Sequence, residues 1–159
     1  MFREMARKNK QLPDAECIAL LKSEKRGVLS VLGDDGFPYG VPMNHYYSEA
    51  DGCLYFHCGR QRSHRNDALR RCDKASFCVI DQGAREEGGW ALTFRSVVVF
   101  GTVEIVDDPA TVADISARLS RKFTDDETYI AQEIRASGKA TLLLRLSPAH
   151  MTGKIVVEA

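Results

Sequence analysis

Residues 90–106 constrain this 159-residue chain more than any other stretch. They read as one long β run, and side chains on a strand alternate between its two sides. Phe94, Ser96, Val98 and Phe100 therefore share one face, while Val97, Val99 and Gly101 share the other. Both faces are largely apolar, so each needs cover from something other than water. One can line a barrel interior, and a partner subunit could cover the other.

The segments around this run supply the rest of a small β architecture. Pro13 and Asp14 open a helix with Cys17, Leu20, Leu21 and Glu24 at helical spacing, and Gly27 is placed to cap its end. Residues 28–32, the turn Gly33-Asp34-Asp35-Gly36 and residues 37–47 predict a β-hairpin. Pro38 and Pro42 cannot donate to a ladder, so the second strand is expected to be an edge, bent or bulged. A turn at 49–52 leads into a strand over 53–58, which continues an antiparallel meander. Ser63 is the expected N-cap of a helix over 64–71, followed by a strand over 75–80 and an exposed loop over 81–89. Asp108 and Pro109 start a helix with the apolar stripe Val112, Ile115, Leu119 and Phe123. A second helix over 125–136, a strand over 141–146 and a short tail strand or extended segment over 151–158 complete the pattern.

Length and composition fit one globular domain over 1–159, with 44% hydrophobic and 28% charged residues. A formal net charge of +0 argues against a dedicated nucleic-acid or membrane-surface binder. Residues 1–10 are polar and mixed in charge, without the apolar core of a secretory signal, and no apolar run reaches bilayer-spanning length. A cytoplasmic protein is expected. The 5 cysteines form no CxxC pair, so neither a disulfide framework nor a zinc knuckle is suggested. His45, His57, His64 and Cys58 show no recognised ligand spacing, and no metal is expected.

The stretch from Phe56 to Asp67 carries the most chemistry. A helix N-terminus offers unpaired N–H groups and the positive end of a dipole, so with Ser63, His64 and Arg65 it suits a phosphate. A phosphate monoester carries roughly −1.5 to −2 charges at neutral pH and bonds strongly to Arg. The same residues equally describe a solvated basic loop with a capped helix. His57 ends a strand on the side of Cys53 and Tyr55, from which it can reach a ligand at the barrel mouth or serve only as hydrogen-bonded structure. No GxGxxG, GxxxxGK[ST] or Gly-x-Ser-x-Gly motif is present.

The blocks Arg26-Gly27-Val28-Leu29-Ser30, Asp35-Gly36-Phe37-Pro38, Val41-Pro42-Met43-Asn44, Leu54-Tyr55-Phe56-His57 and Ser63-His64-Arg65-Asn66-Asp67 follow one another along the chain. In that order they resemble the FMN-binding split-barrel family that includes pyridoxamine 5′-phosphate oxidase and the nitroimidazole reductases. The run from Phe94 to Thr102 and the tail Met151-Thr152-Gly153-Lys154 extend the resemblance over nearly the whole chain. It implies a mainly β fold with α (α+β), a six-stranded antiparallel split β-barrel with flanking helices. It also implies a homodimer with FMN, or alternatively FAD, at the subunit interface. By resemblance, Ser63, His64 and Arg65 hold the phosphate, while Pro42, Met43, Asn44 and Ser96, with Arg95 or Val97 nearby, meet the ring. His57 matches a strand-end histidine beside the flavin in the nitroimidazole-reductase branch. Many relatives carry Gly-His-Lys where this chain has Ser63-His64-Arg65, which keeps the charge but alters the loop. The oxidase's C-terminal substrate-binding segment with Arg is missing. The expected activity is FMN-dependent reduction of a small electron-poor substrate such as a nitroimidazole, with electrons from a nicotinamide or another reductant. Alternatives are a pyridoxamine-phosphate oxidase and a non-catalytic flavin or heme carrier on the same barrel.

Overall fold

Alternation of apolar and polar side chains builds one antiparallel sheet in the computed structural model, which describes residues 1–158. Its strands are β1 (Gln11–Leu12), β2 (Arg26–Leu32), β3 (Pro38–Asn44), β4 (Tyr46–Ser48), β5 (Cys53–Gly59), β6 (Lys74–Ile80), β7 (Ala84–Arg85), β8 (Leu92–Val106) and β9 (Thr141–Val157). They pair in the order β3-β2-β6-β8-β9-β5-β4, with β1 on β9 and β7 on β8. Six of them, β2, β3, β5, β6, β8 and β9, are 7 residues or longer. These six make the expected split barrel, and the proline-bearing β3 lies at one end of the order, where missing N–H donors cost least.

The inward faces supply the core. Leu29, Phe56, Phe77, Val97, Val99 and Leu144 have no exposed surface and belong to one apolar cluster. Helix α1 (Asp14–Ser23) adds Cys17, Leu20 and Leu21 to that cluster. On the opposite side of β5, helix α3 (Pro109–Ser120) lays Val112 and Ile115 over Cys53, Tyr55 and Leu143 as a second apolar layer. Asp108 caps α3 by accepting the Thr111 N–H at 2.8 Å, and α4 (Glu127–Ser137) is capped by Asp126. Helix α2 (His64–Arg71) follows β5.

Several local expectations change. Residues 37–47 do not form one strand: the chain breaks at His45, with β3 paired to β2 and β4 to β5. Helix α3 ends at Ser120, so Phe123 lies beyond it. Gly27 does not cap α1, which ends at Ser23 with Glu24 extended; it sits in β2, where a Cβ would collide with the Phe77 ring and the Cys78 carbonyl. The tail is not separate from residues 141–146, because β9 runs continuously through Pro148 past a register shift opposite Phe100 and Gly101. At that irregularity the Ser147 carbonyl approaches Gly101 so closely that any side chain there would clash. The loop over 81–89 contains the short strand β7, paired to Leu92 and Thr93.

The outer face of the sheet stays open and mixes apolar with polar side chains. Cross-strand register lines up Pro42, Val28, Cys78, Val98 and Thr152 in one row, and Gly40, Ser30, Ser76, Phe100 and His150 in the next. Val28 is 41% and Ile80 56% exposed. Phe2 covers part of this face, stacking on His150 at 4.7 Å between ring centroids. No described helix is long and apolar enough to cross a membrane.

One buried histidine ties α1 to the barrel. His45 has no exposed surface; its Nε2 pairs with the Leu21 carbonyl at 2.8 Å, its ring meets Phe77 edge-on, and its Nδ1 has no partner among the described residues. Burial, helped by the nearby Lys122 ammonium, lowers its pKa to about 4. The unfolded chain therefore takes up a proton near pH 6.5 that the folded chain refuses until near pH 4. Stability is fully present above pH 6.5 and is lost as pH falls through this window, by up to about 3 kcal/mol. Denaturant titrations at pH 7 and pH 4.5 should show this loss in the wild type and a smaller one in His45→Gln. Equal losses in both would place the acid sensitivity elsewhere.

Candidate functional site

The first turn of α2 is built from the end of β5 outward. Ser63 is extended, and its Oγ accepts the Asn66 N–H at 3.2 Å, which satisfies one first-turn donor. Asn66 is fully buried, and its Nδ2 donates to the carbonyls of Gly59 and Gln61, both at 3.3 Å, so the loop before the helix is pinned. Arg65 Nε donates to Asn66 Oδ1 at 3.1 Å, and its Nη1 lies 3.3 Å from Met43 Sδ on β3. The guanidinium also sits beside Cys58; burial raises the pKa of that thiol and Arg65 opposes the rise. Among the described residues Arg65 makes no ion pair, whereas Arg62 and Arg70 both bond Asp67. His64 stacks on Tyr39 at 4.2 Å and accepts the Asp34 N–H at 3.3 Å. The Asp34 carboxylate, in turn, pairs with Arg71 at 2.6 Å. Ser63, His64, Arg65 and Met43 are thus brought together, with one unneutralised cation at the helix start.

The other expected ligand contacts are distributed differently. Met43 faces the core, while Pro42 is exposed and Asn44 half-buried on the outer face of β3. Ser96 is half-buried on that same face of β8, three inter-strand steps from Asn44, about 14 Å away. Val97 has no exposed surface and points into the core. Arg95 points to the rim, where its Nε and its backbone N–H each donate to Asp81 at 2.9 Å. Burial works against the Asp81 carboxylate, yet these bonds hold its pKa below the usual range.

His57 occupies a third place. It follows Tyr55 on the α3 side of β5, but lies beyond the cover of α3 and remains exposed. Its ring makes no hydrogen bond among the described residues and borders a pocket of about 660 Å³ between β5, α3 and α4. Protein crowding around the ring removes part of its solvation, which disfavours the cation and lowers its pKa. Sequence reasoning did not find the walls of this pocket, among them Ser116, Tyr129 and Ile134. They come from α3 and α4, which follow β8 and precede β9 in the chain but reach His57 only through tertiary packing. Asn66 and Tyr39, which brace the α2 turn, were also missed as site elements. Asn66 at position N3 of a capped helix was the available signal. Among the described residues no three His, Cys, Asp or Glu side chains gather as a metal site.

A six-stranded split barrel with a capped helix after β5 defines a class, and comparison with known proteins gives the family. The family profile described as pyridoxamine 5′-phosphate oxidase matches residues 13–155, and the chain belongs to that family. None of the curated proteins is significantly similar to it in sequence. Among solved structures it is similar to a conserved hypothetical protein of Mycobacterium tuberculosis, with 19% identity, 95% of this chain and 90% of that one covered, and a TM-score of 0.78. A proposed 5-nitroimidazole antibiotic resistance protein of Bacteroides thetaiotaomicron shares 17% identity over 93% of this chain and 87% of its own, with a TM-score of 0.75. An FAD and heme binding protein of Mycobacterium smegmatis shares 22% identity over 92% and 73%, with a TM-score of 0.72.

Proposed function

We propose that this protein binds a flavin, as FMN or FAD, at the interface of a homodimer, and uses it to reduce small electron-poor molecules of the nitroimidazole kind. The observation that carries the proposal is the first turn of α2, where Arg65 pairs with no carboxylate among the described residues and lies beside N–H groups that lack intrahelical partners. That arrangement fits the phosphate of a flavin nucleotide. Relatives of the same fold support it, one binding FAD and heme and one proposed as a nitroimidazole resistance protein.

Distance and surface support the dimer. Asn44 and Ser96 of one protomer are too far apart to bond one group together, and the face between them is open, carrying Arg26 and the exposed Ile80. A two-fold partner seated on this face covers Val28, Ile80 and Phe100 and can bring its own Ser96 toward the β3 edge. Each site is then completed by both subunits.

A bound flavin supplies the electrons. The protein's residues do the rest: Arg65 and the α2 N–H groups anchor the phosphate, Asn44 with the partner's Ser96 orients the ring, and an imidazole nitrogen of His57 donates a proton to the substrate. Arg65→Ala should weaken flavin binding by about 1.5–3 kcal/mol, the scale of a charged hydrogen bond, in a fluorescence titration. Unchanged affinity would put the phosphate elsewhere. Turnover is tested by mixing the flavin-loaded, chemically reduced protein with a 5-nitroimidazole without oxygen. The nitro absorbance should disappear as the flavin reoxidises. A flavin that stays reduced would leave a carrier rather than a reductase.

A further inference from the structure

We infer that the pocket between β5, α3 and α4 binds a planar aromatic anion, such as an aromatic carboxylate. The inference deepens the reductase reading above and rests on it only for turnover; binding stands on the pocket itself. Its volume of about 660 Å³ falls within the range of roughly 300–1,000 Å³ usual for small-molecule sites.

The walls are apolar: Val112 comes from α3, and Ile130 and Ile134 from α4. Tyr129, 52% exposed, borders the same space, so a planar ring entering it would gain a stacking partner and shelter from water. Charge decides the sign of the ligand. Arg60 is already paired with Asp107 at 3.4 Å, but Arg135 and Lys139 make no ion pair among the described residues, against one similarly free carboxylate, Glu133. The rim therefore carries a net positive charge. Polar groups within it also lack partners. Among the described residues the buried Ser116 hydroxyl makes no hydrogen bond, although a helical serine commonly bonds the carbonyl four residues earlier, and the His57 ring makes none either. A ligand with an anionic acceptor on a flat apolar body answers all of these features, and its reacting end would lie against His57.

The test uses the purified full-length protein and two probes of the same shape, 4-nitrobenzoate and the neutral 4-nitrobenzamide, followed by calorimetry. The acid should bind at least about tenfold more tightly than the amide, a difference of about 1.4 kcal/mol. The double variant Arg135→Gln, Lys139→Gln should erase that preference. Ala113→Phe, at a half-buried wall position, should abolish binding of both while the circular dichroism spectrum is unchanged. Equal binding of acid and amide, or undiminished binding in Ala113→Phe, would overturn the assignment. Acid binding without reduction of any nitro compound keeps the pocket and removes the reductase reading. Nitroimidazole turnover without acid binding does the reverse.

Discussion

His57→Ala is expected to leave the protein folded, dimeric and flavin-loaded while slowing reductive turnover by roughly 10²-fold, the usual scale for losing a general acid. The side chain is exposed and makes no hydrogen bond among the described residues, so its removal should cost little stability. Its place at the pocket mouth leaves one imidazole nitrogen or the other free to face a ligand. Because crowding lowers its pKa, His57 is mostly neutral at pH 7, and the proton-donating form grows only as the solution becomes more acidic. Turnover at matched flavin occupancy should therefore rise as pH falls from 8 to 5, and that rise should vanish in His57→Ala. His57→Gln separates the two possible roles. It keeps a hydrogen-bonding group and loses the titrating one, so it should remain as slow as the alanine variant if His57 moves a proton. Recovery of the rate in the glutamine variant would mean that His57 only orients the substrate, and equal rates in all three proteins would remove it from the mechanism.

A single charge on the outer face should have an effect of similar size on assembly. Val28 is 41% exposed in one protomer, so Val28→Glu should change the stability of the isolated fold by no more than about 0.5 kcal/mol. In the proposed dimer the same carboxylate is buried without a partner, a situation that costs about 3–5 kcal/mol. The dimer dissociation constant should rise at least about 10²-fold, and flavin affinity should fall with it, because each site draws on both subunits. Sedimentation of the flavin-loaded variant at micromolar concentration checks this. A variant that remains dimeric with its flavin in place would show that the subunits, if they associate, use another surface.

Much of this arrangement was legible where local chemistry settles it. The double-faced run ending at Val106 announced both the core, through Val97 and Val99, and the open sheet, through Val98 and Phe100. Ser63 marked the start of α2 because a serine before a polar helical turn has a specific donor to satisfy. Gly27 misled because a glycine after a helical segment resembles a cap, whereas its actual constraint is the Phe77 ring, 50 residues away in sequence. The continuity of β9 through Pro148 was equally hidden, since a proline argues locally for a break and its tolerance comes from the register shift opposite Phe100 and Gly101. The contact of Arg65 with Met43, and the α4 wall that gives His57 its pocket, depend on which surfaces the barrel brings together. No spacing along the chain encodes them.

The central claim is that the α2 turn and the open sheet face together hold a flavin. The most direct measurement is the visible absorption spectrum of protein purified without added cofactor, followed by mass identification of the released ligand. A yellow protein with a flavin spectrum, about one FMN or FAD per protomer, and loss of the colour in Arg65→Ala is the predicted result. A colourless protein that takes up neither FMN nor FAD on titration would contradict the account.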